Sequence, residues 1–162
     1  YVESYLSTHS GFYLTGDGGH VDDEGYLFVM GRIDDVINVA GHRLSTGSME
    51  EVLCTHQDVA ECAVIGVPDE LRGQVPIGLV VLKSGVDRDP ADLEAELVAM
   101  VRDQVGAVAV FRRAHVVARL PKTRSGKVLR GTMRAIAEGR QVRVPSTIDD
   151  PTILDELAPI LR

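Results

Sequence analysis

Two glycine-punctuated basic stretches stand about 80 residues apart in this chain of 162 residues. The first is Gly31-Arg32-Ile33-Asp34-Asp35-Val36-Ile37-Asn38-Val39-Ala40-Gly41-His42-Arg43, and the second is Pro121-Lys122-Thr123-Arg124-Ser125-Gly126-Lys127. In the second, Pro121 stiffens the approach and Gly126 permits a backbone shape that other residues resist. A helical pattern follows, which puts Lys127 at or near a helix amino end, where N–H groups and the dipole favour an anion. An ammonium there can hold a carboxylate against a phosphate and stabilise the charge of a pentacoordinate transition state. The stretch is not a Walker A loop, because Pro121 takes the place of its first glycine and Val128 that of its Ser or Thr. Upstream, Thr15-Gly16-Asp17-Gly18 is a glycine-rich turn that presents the Asp17 carboxylate. Against each of these stands the plainer reading of a solvated surface turn.

The elements that must position these residues read as alternating strands and helices. Val21 to Met30 predicts a hairpin turning at Asp22-Asp23-Glu24-Gly25. Ser48 to His56 predicts a helix with Met49, Val52, Leu53 and His56 on one face, and Ser48 with Glu51 has the pattern of a capping box. Glu61 to Val67 predicts a buried strand and Ile77 to Lys83 a second. Asp89-Pro90 opens a helix whose buried stripe is Leu93, Leu97, Val101 and Val105. His115 to Leu120 predicts a third strand, Val128 to Ala137 a helix, and Asp150-Pro151 the start of a last helix. The expected fold class is α+β: a small two-layer domain with a central sheet of about three strands flanked by helices, preceded by a β-hairpin segment.

Composition narrows the classes. With 44% hydrophobic residues the chain can bury a core. No apolar stretch approaches the roughly 20 residues of a membrane span. The net charge of −7 is uneven: residues 102–143 carry eleven Lys or Arg against two acids, and the rest carries six against 22. A basic block in an acidic chain suggests a local polyanion site and no general nucleic-acid binding. Cys54 and Cys62 match no zinc or redox spacing, as suits a reducing, cytoplasmic setting. No Ser-His-Asp or Cys-His arrangement has supporting spacing.

Together and in this order, the two stretches and the Thr15–Gly18 turn resemble the signature loops of the acyl-adenylate-forming (AMP-binding) enzymes. Within them they are most similar to short-chain acyl-CoA synthetases of the acetyl-CoA or propionyl-CoA synthetase type. The resemblance implies a carboxy-terminal part of a longer enzyme, inactive alone. It implies residues 1–33 as the end of the large amino-terminal adenylation domain and 34–162 as a mobile domain hinged at Asp34. It implies Lys127 as the catalytic lysine, with Asp17, Arg32 and Arg43 binding ATP or AMP, and Ala40, Gly41 and Arg102 meeting CoA. The substrates and cofactors implied are a small carboxylate, ATP, Mg²⁺ and CoA. Cys54, His56 and Val59 fall where relatives bind Mg²⁺, partly through main-chain carbonyls, but by side chain a thiol and an imidazole are poor magnesium ligands, so no metal site is expected here. A lysine acetyltransferase and deacetylase acting on Lys127 are implied partners; a membrane is not. The run Val144 to Ile153 leans toward propionyl-CoA synthetase. A longer-chain or carrier-protein-acylating ligase, or a non-catalytic polyanion-binding module, are the alternatives.

Overall fold

Asp22 organises the first hairpin in the chain. Its Oδ1 accepts from the amides of Glu24 (3.0 Å) and Tyr26 (2.8 Å), which turns β1 (Asp17–Val21) back onto β2 (Leu27–Arg32) as an antiparallel hairpin. The computed structural model describes residues 2–142 and 144–161, and the side chains of Glu3, Ser4, Met30 and Asp34 lie outside the described residues. A bulge falls between Gly18 and Gly19, where a Cβ on Gly19 would lie 2.4 Å from the Phe28 carbonyl oxygen, so only glycine fits. A short helix, α1 (Val2–Tyr5), precedes the hairpin. Residues 1–36 form one compact unit and residues 37–162 another.

The second unit is built on a five-stranded sheet in the order β4-β3-β6-β5, with β7 also paired to β6. The strands are β3 (Val36–Val39), β4 (His42–Ser45), β5 (Val59–Asp69), β6 (Gly73–Leu82) and β7 (Ala114–Val116). β5 and β6 pair antiparallel from end to end. On the other edge of β6, β3 meets it at Gly73, and β7 runs parallel to it from Gly78 to Val80.

Helices cover both faces. Cys62 and Val64 pack among Met49 and Leu53 of α2 (Thr46–Cys54) and Leu93, Leu97 and Val101 of α3 (Pro90–Gln104). Ala63 and Ile65 pack among Met133 and Ile136 of α4 (Arg130–Ala137) and Ile153, Leu154 and Leu157 of α5 (Ile153–Leu161). A strand buried on both faces needs apolar residues at consecutive positions, which accounts for the run Cys62 to Ile65. Burying each such leucine or isoleucine contributes roughly 1.5–3 kcal/mol.

The expected α+β class holds. The sheet is wider than three strands because β3 and β4 form within Val36 to Ser45, and its second face is covered as well. The Asp89 cap is present: its Oδ1 accepts from Ala91 and Asp92, with Pro90 at the first helical position. The Ser48 capping box is not. α2 starts after Ser45, so Ser48 lies inside the first turn and its Oγ donates to the Ser45 carbonyl. The third strand is shorter than His115 to Leu120, because beyond the Val117 amide, bonded to Val80, the chain leaves β6.

Candidate active-site loops

Lys127 sits on a small hairpin. Lys122 bridges Val128, the Thr123 amide donates to the Lys127 carbonyl (2.8 Å), and the Gly126 amide donates to the Thr123 carbonyl (2.8 Å). The Thr123 hydroxyl accepts from the Lys127 amide at 3.1 Å. This is a three-residue hairpin loop closed by a left-handed residue, Gly126 at φ +84°. A Cβ at Gly126 would meet nothing within 4 Å, so backbone shape and not space calls for glycine. Lys127 is exposed, and among the described residues its ammonium has no hydrogen-bond or ion-pair partner. The expectation that a helix dipole bears on it is corrected in part: α4 is capped by Leu129, two residues on, with no side-chain cap bond. The hairpin, not the helix end, aims the lysine.

Ala40 and Gly41 form the two-residue tip between β3 and β4. Both have positive φ, +49° and +90°, as the primed turn that suits hairpin twist requires. Asn38 Oδ1 accepts the Gly41 amide (3.0 Å), and the Ala40 amide donates to the Arg72 carbonyl (2.9 Å). Alanine in this region is unusual, and such strain is found at functional turns. Arg43 is exposed on the outermost strand, β4.

These two loops lie at opposite ends of one sheet. The Ala40–Gly41 tip is held where β6 begins, at Arg72 and Gly73. The root of the Lys127 hairpin lies toward the far end of β6: β7 runs parallel to β6 toward that end, and Lys122 pairs with Glu61, which faces Val81. From Gly73 to Val81 the strand rises about 26 Å at roughly 3.3 Å per residue.

Within the first unit, Asp17 and Arg32 are neighbours across the hairpin, 3.7 Å apart and both partly exposed. Arg32 also donates to the Thr15 carbonyl (2.8 Å), and its guanidinium crosses where a Cβ of Gly16 would stand. A carboxylate acceptor beside a guanidinium donor fits the two hydroxyls of a ribose. Asp34 lies in the 3₁₀ turn Ile33–Asp35, its side chain outside the described residues. Arg102, in the last turn of α3, lines a cleft of about 280 Å³ with Arg112, Val98, Gly106, Val110 and Phe111. Val110 is left-handed there (φ +54°), a costly pose for a β-branched residue.

The magnesium-aligned residues are otherwise engaged. His56 Nδ1 accepts the Asp58 amide (3.2 Å), which leaves Nε2–H to face Glu96 (3.2 Å). Cys54 and Cys62 bring their sulfurs to 3.4 Å, a pairing that their spacing did not suggest, and burial pushes the Cys62 thiol well up from its ordinary value. Among the described residues no three His, Cys, Asp or Glu side chains gather to hold a metal ion, and no helix is long and apolar enough to cross a membrane.

Sequence reasoning missed the braces. Glu50 of α2 receives Arg130 in a two-bond fork (2.9 and 2.7 Å) and accepts the Val64 amide (2.8 Å), so it ties both helical layers to the free edge of β5. Eighty residues separate the partners, and no local pattern links them.

Residues 48–127 match the AMP-binding enzyme C-terminal domain family. The whole chain is 60% identical to an uncharacterized protein of Pseudomonas aeruginosa, covering 26% of it. It is 48% identical over 97% of its length to a mitochondrial acyl-CoA synthetase short-chain family member B of Dictyostelium discoideum, covering 23% of that protein. Among solved structures, an anthranilate CoA ligase in complex with anthranoyl-AMP superposes with a TM-score of 0.64 at 35% identity, over 76% of this chain and 24% of the ligase. The chain thus spans about a quarter of the length of the curated relatives it matches.

Proposed function

The chain belongs to the AMP-binding enzymes as their carboxy-terminal region, and from that premise we propose that the whole protein is an ATP-dependent short-chain acyl-CoA synthetase. A carboxylate oxygen attacks the α-phosphorus of ATP, and pyrophosphate departs with the broken P–O bond. The thiolate of CoA then attacks the acyl carbon of the adenylate, and AMP departs. Lys127 holds the carboxylate against the α-phosphate in the first step and offsets the charge that gathers there. Asp17 and Arg32 receive the ribose, and Arg43 faces a phosphate. Ala40 and Gly41 line the thiol's approach in the second step, while Arg102 meets the charged end of CoA. Mg²⁺ enters as the counter-ion of ATP and not on side chains of this region.

The observation that carries this reading is the separation of the Lys127 hairpin from the Ala40–Gly41 tip along the sheet. A domain that serves two steps with two ends must turn between them, and we assign the pivot to Asp34. Residues 1–33 are assigned to the end of the large amino-terminal domain. The exposed Tyr26, Leu27, Phe28 and Val29 support this, since an isolated two-stranded hairpin cannot bury them. The run Val144 to Ile153 supports the short-chain branch and leans toward the propionyl-CoA synthetase type, with acetate or propionate as the acid, and the cytoplasm is the proposed compartment. Acetylation of exposed Lys127 would delete its charge, so a lysine acetyltransferase and a deacetylase are proposed regulators.

The test is a panel of carboxylates given to the full-length protein with ATP, Mg²⁺ and CoA, read as pyrophosphate and AMP release. Acetate or propionate should lead. Preference for long-chain acids, or transfer only to a carrier protein, would move the protein to another ligase class. No AMP from any acid would leave a polyanion-binding module.

A further inference from the structure

The carboxy-terminal run from Pro145 to Asp150 does not trail off the domain; it returns to the Lys127 hairpin and pairs with it. Thr123 meets Ile148 at a single antiparallel bridge, so the run lies against the Lys122–Val128 pair. The Asp149 amide donates to the Lys122 carbonyl (2.9 Å), and the Arg124 amide donates to the Thr147 carbonyl (3.0 Å). The Arg124 guanidinium donates to the Ser146 carbonyl (2.7 Å). Ile148 is buried in the cluster beneath α4 and α5, which fixes the run to the core. At its end, Arg119 closes the arrangement. Nη1 donates to Asp150 (2.5 Å), and Nη2 to Glu156 (2.6 Å) and Thr152 (3.0 Å). Arg119 is also two residues before the hairpin, so one side chain ties the hairpin's root to both the run and α5.

Resting on the adenylation role assigned to Lys127, we propose that residues 145–150 are a strap that positions this lysine, with Arg119 and Asp150 as its positioning residues. The hairpin tip, Arg124 to Lys127, is exposed and, among the described residues, otherwise bonded only to Thr123 of the same hairpin. Loops so placed move on nanosecond to microsecond timescales. A lysine that must hold two reactants in contact tolerates little of that, since a displacement of about 1 Å can cost on the order of 100-fold in rate. The strap removes this freedom through three bonds to the chain at Lys122 and Arg124, and the Arg119 fork keeps the strap in register.

Asp150→Asn isolates the fork. An amide oxygen can still accept from the Thr152 amide and hydroxyl, as Asp150 Oδ1 does (2.9 and 2.7 Å), so the local turn survives while the charge facing Arg119 is lost. Arg119→Met removes the other partner, and Asp150→Glu restores the charge. Glu138→Gln, which weakens the pair with Arg140, is the control. Two readouts on the full-length protein decide. Tryptic cleavage after Lys122, Arg124 and Lys127, followed by mass spectrometry, should quicken about tenfold in Asp150→Asn and Arg119→Met, and not in the control. Pyrophosphate release should fall about tenfold in the same variants and recover in Asp150→Glu, while thioester formation from supplied acyl-adenylate stays unchanged. Unchanged cleavage overturns the strap, and equal loss in both half-reactions overturns its positioning role. If the unaltered protein releases no pyrophosphate with any short acid while Asp150→Asn still opens the hairpin, the functional reading falls and the strap stands as structure alone.

Discussion

Lys127 owes its place to neighbours that are mostly backbone, so its removal should leave the fold intact and strike one step only. In the full-length protein Lys127→Ala should lower adenylation by on the order of 100–1,000-fold, the usual cost of one preorganised electrostatic contact. Thioester formation from supplied acyl-adenylate should hardly change, and equal damage to both would remove the lysine from the first step. Glu96 carries a different consequence. Arg88 grips it in a fork (2.9 and 2.5 Å) and His56 adds a third bond, which holds its carboxyl at about 2, below the ordinary 4.5. A carboxyl depressed in the folded state favours folding while it is ionised. Its contribution is therefore whole above about pH 4.5 and is lost as pH falls toward 2. Urea midpoints taken between pH 5 and 2 should fall less steeply in Glu96→Gln than in the unaltered domain, and parallel curves would mean that the Arg88 fork does not persist in solution.

The elements differ in how plainly the sequence announced them, and the reasons are physical. α3 was legible because its cap, its first proline and its apolar stripe all lie within one stretch; Leu93, Leu97 and Val101 are all fully buried, and only Val105 falls just past the end. β5 was legible because burial on both faces leaves an unbroken apolar run. The β3–β4 hairpin was not, because its strands are four residues each and its tip is Ala-Gly in place of the Asn-Gly that signals such turns. The strap and the Glu50–Arg130 tie were hidden for another reason: their partners are set by the fold, and no local period encodes them. The Lys127, Ala40 and Gly41 assignments came from motif resemblance, and the structure supplies what a motif lacks, namely the backbone that presents them. At the β3–β4 tip the prediction is specific. A Cβ on Gly41 meets nothing within 4 Å, so Gly41→Ala should cost only the left-handed backbone penalty, about 1–2 kcal/mol by urea midpoint. If Gly41 also clears the thiol's path, thioester formation should fall further than that loss explains, with adenylation spared. A fall in both, in proportion to stability, would reduce Gly41 to a turn residue.

For the molecule as a whole the proposed function asks that one small domain present two ends to one active centre. The sheet makes the second unit a single packed body, with both faces filled and Glu50 tying the two helical layers across its edge, so the Lys127 hairpin and the Ala40–Gly41 tip cannot approach each other by bending. On the proposed two-step function the change comes from rotation of the body, and such rotation needs backbone freedom before Ile37, where the second unit begins. Asp34 lies in a 3₁₀ turn three residues earlier. Residues in such turns have φ between roughly −50° and −70°, which proline satisfies at about −65°. Asp34→Pro should therefore fit the present backbone and resist any other, and hinges work by absorbing large changes in φ and ψ. In the full-length protein one half-reaction should survive near its normal rate and the other should fall by about 100-fold, with overall turnover following the slower. Pyrophosphate release with the carboxylate and ATP measures the first, and CoA consumption with supplied acyl-adenylate measures the second. If both half-reactions and the overall turnover persist, the pivot is not Asp34, and the rotation must be sought elsewhere between Arg32 and Ile37.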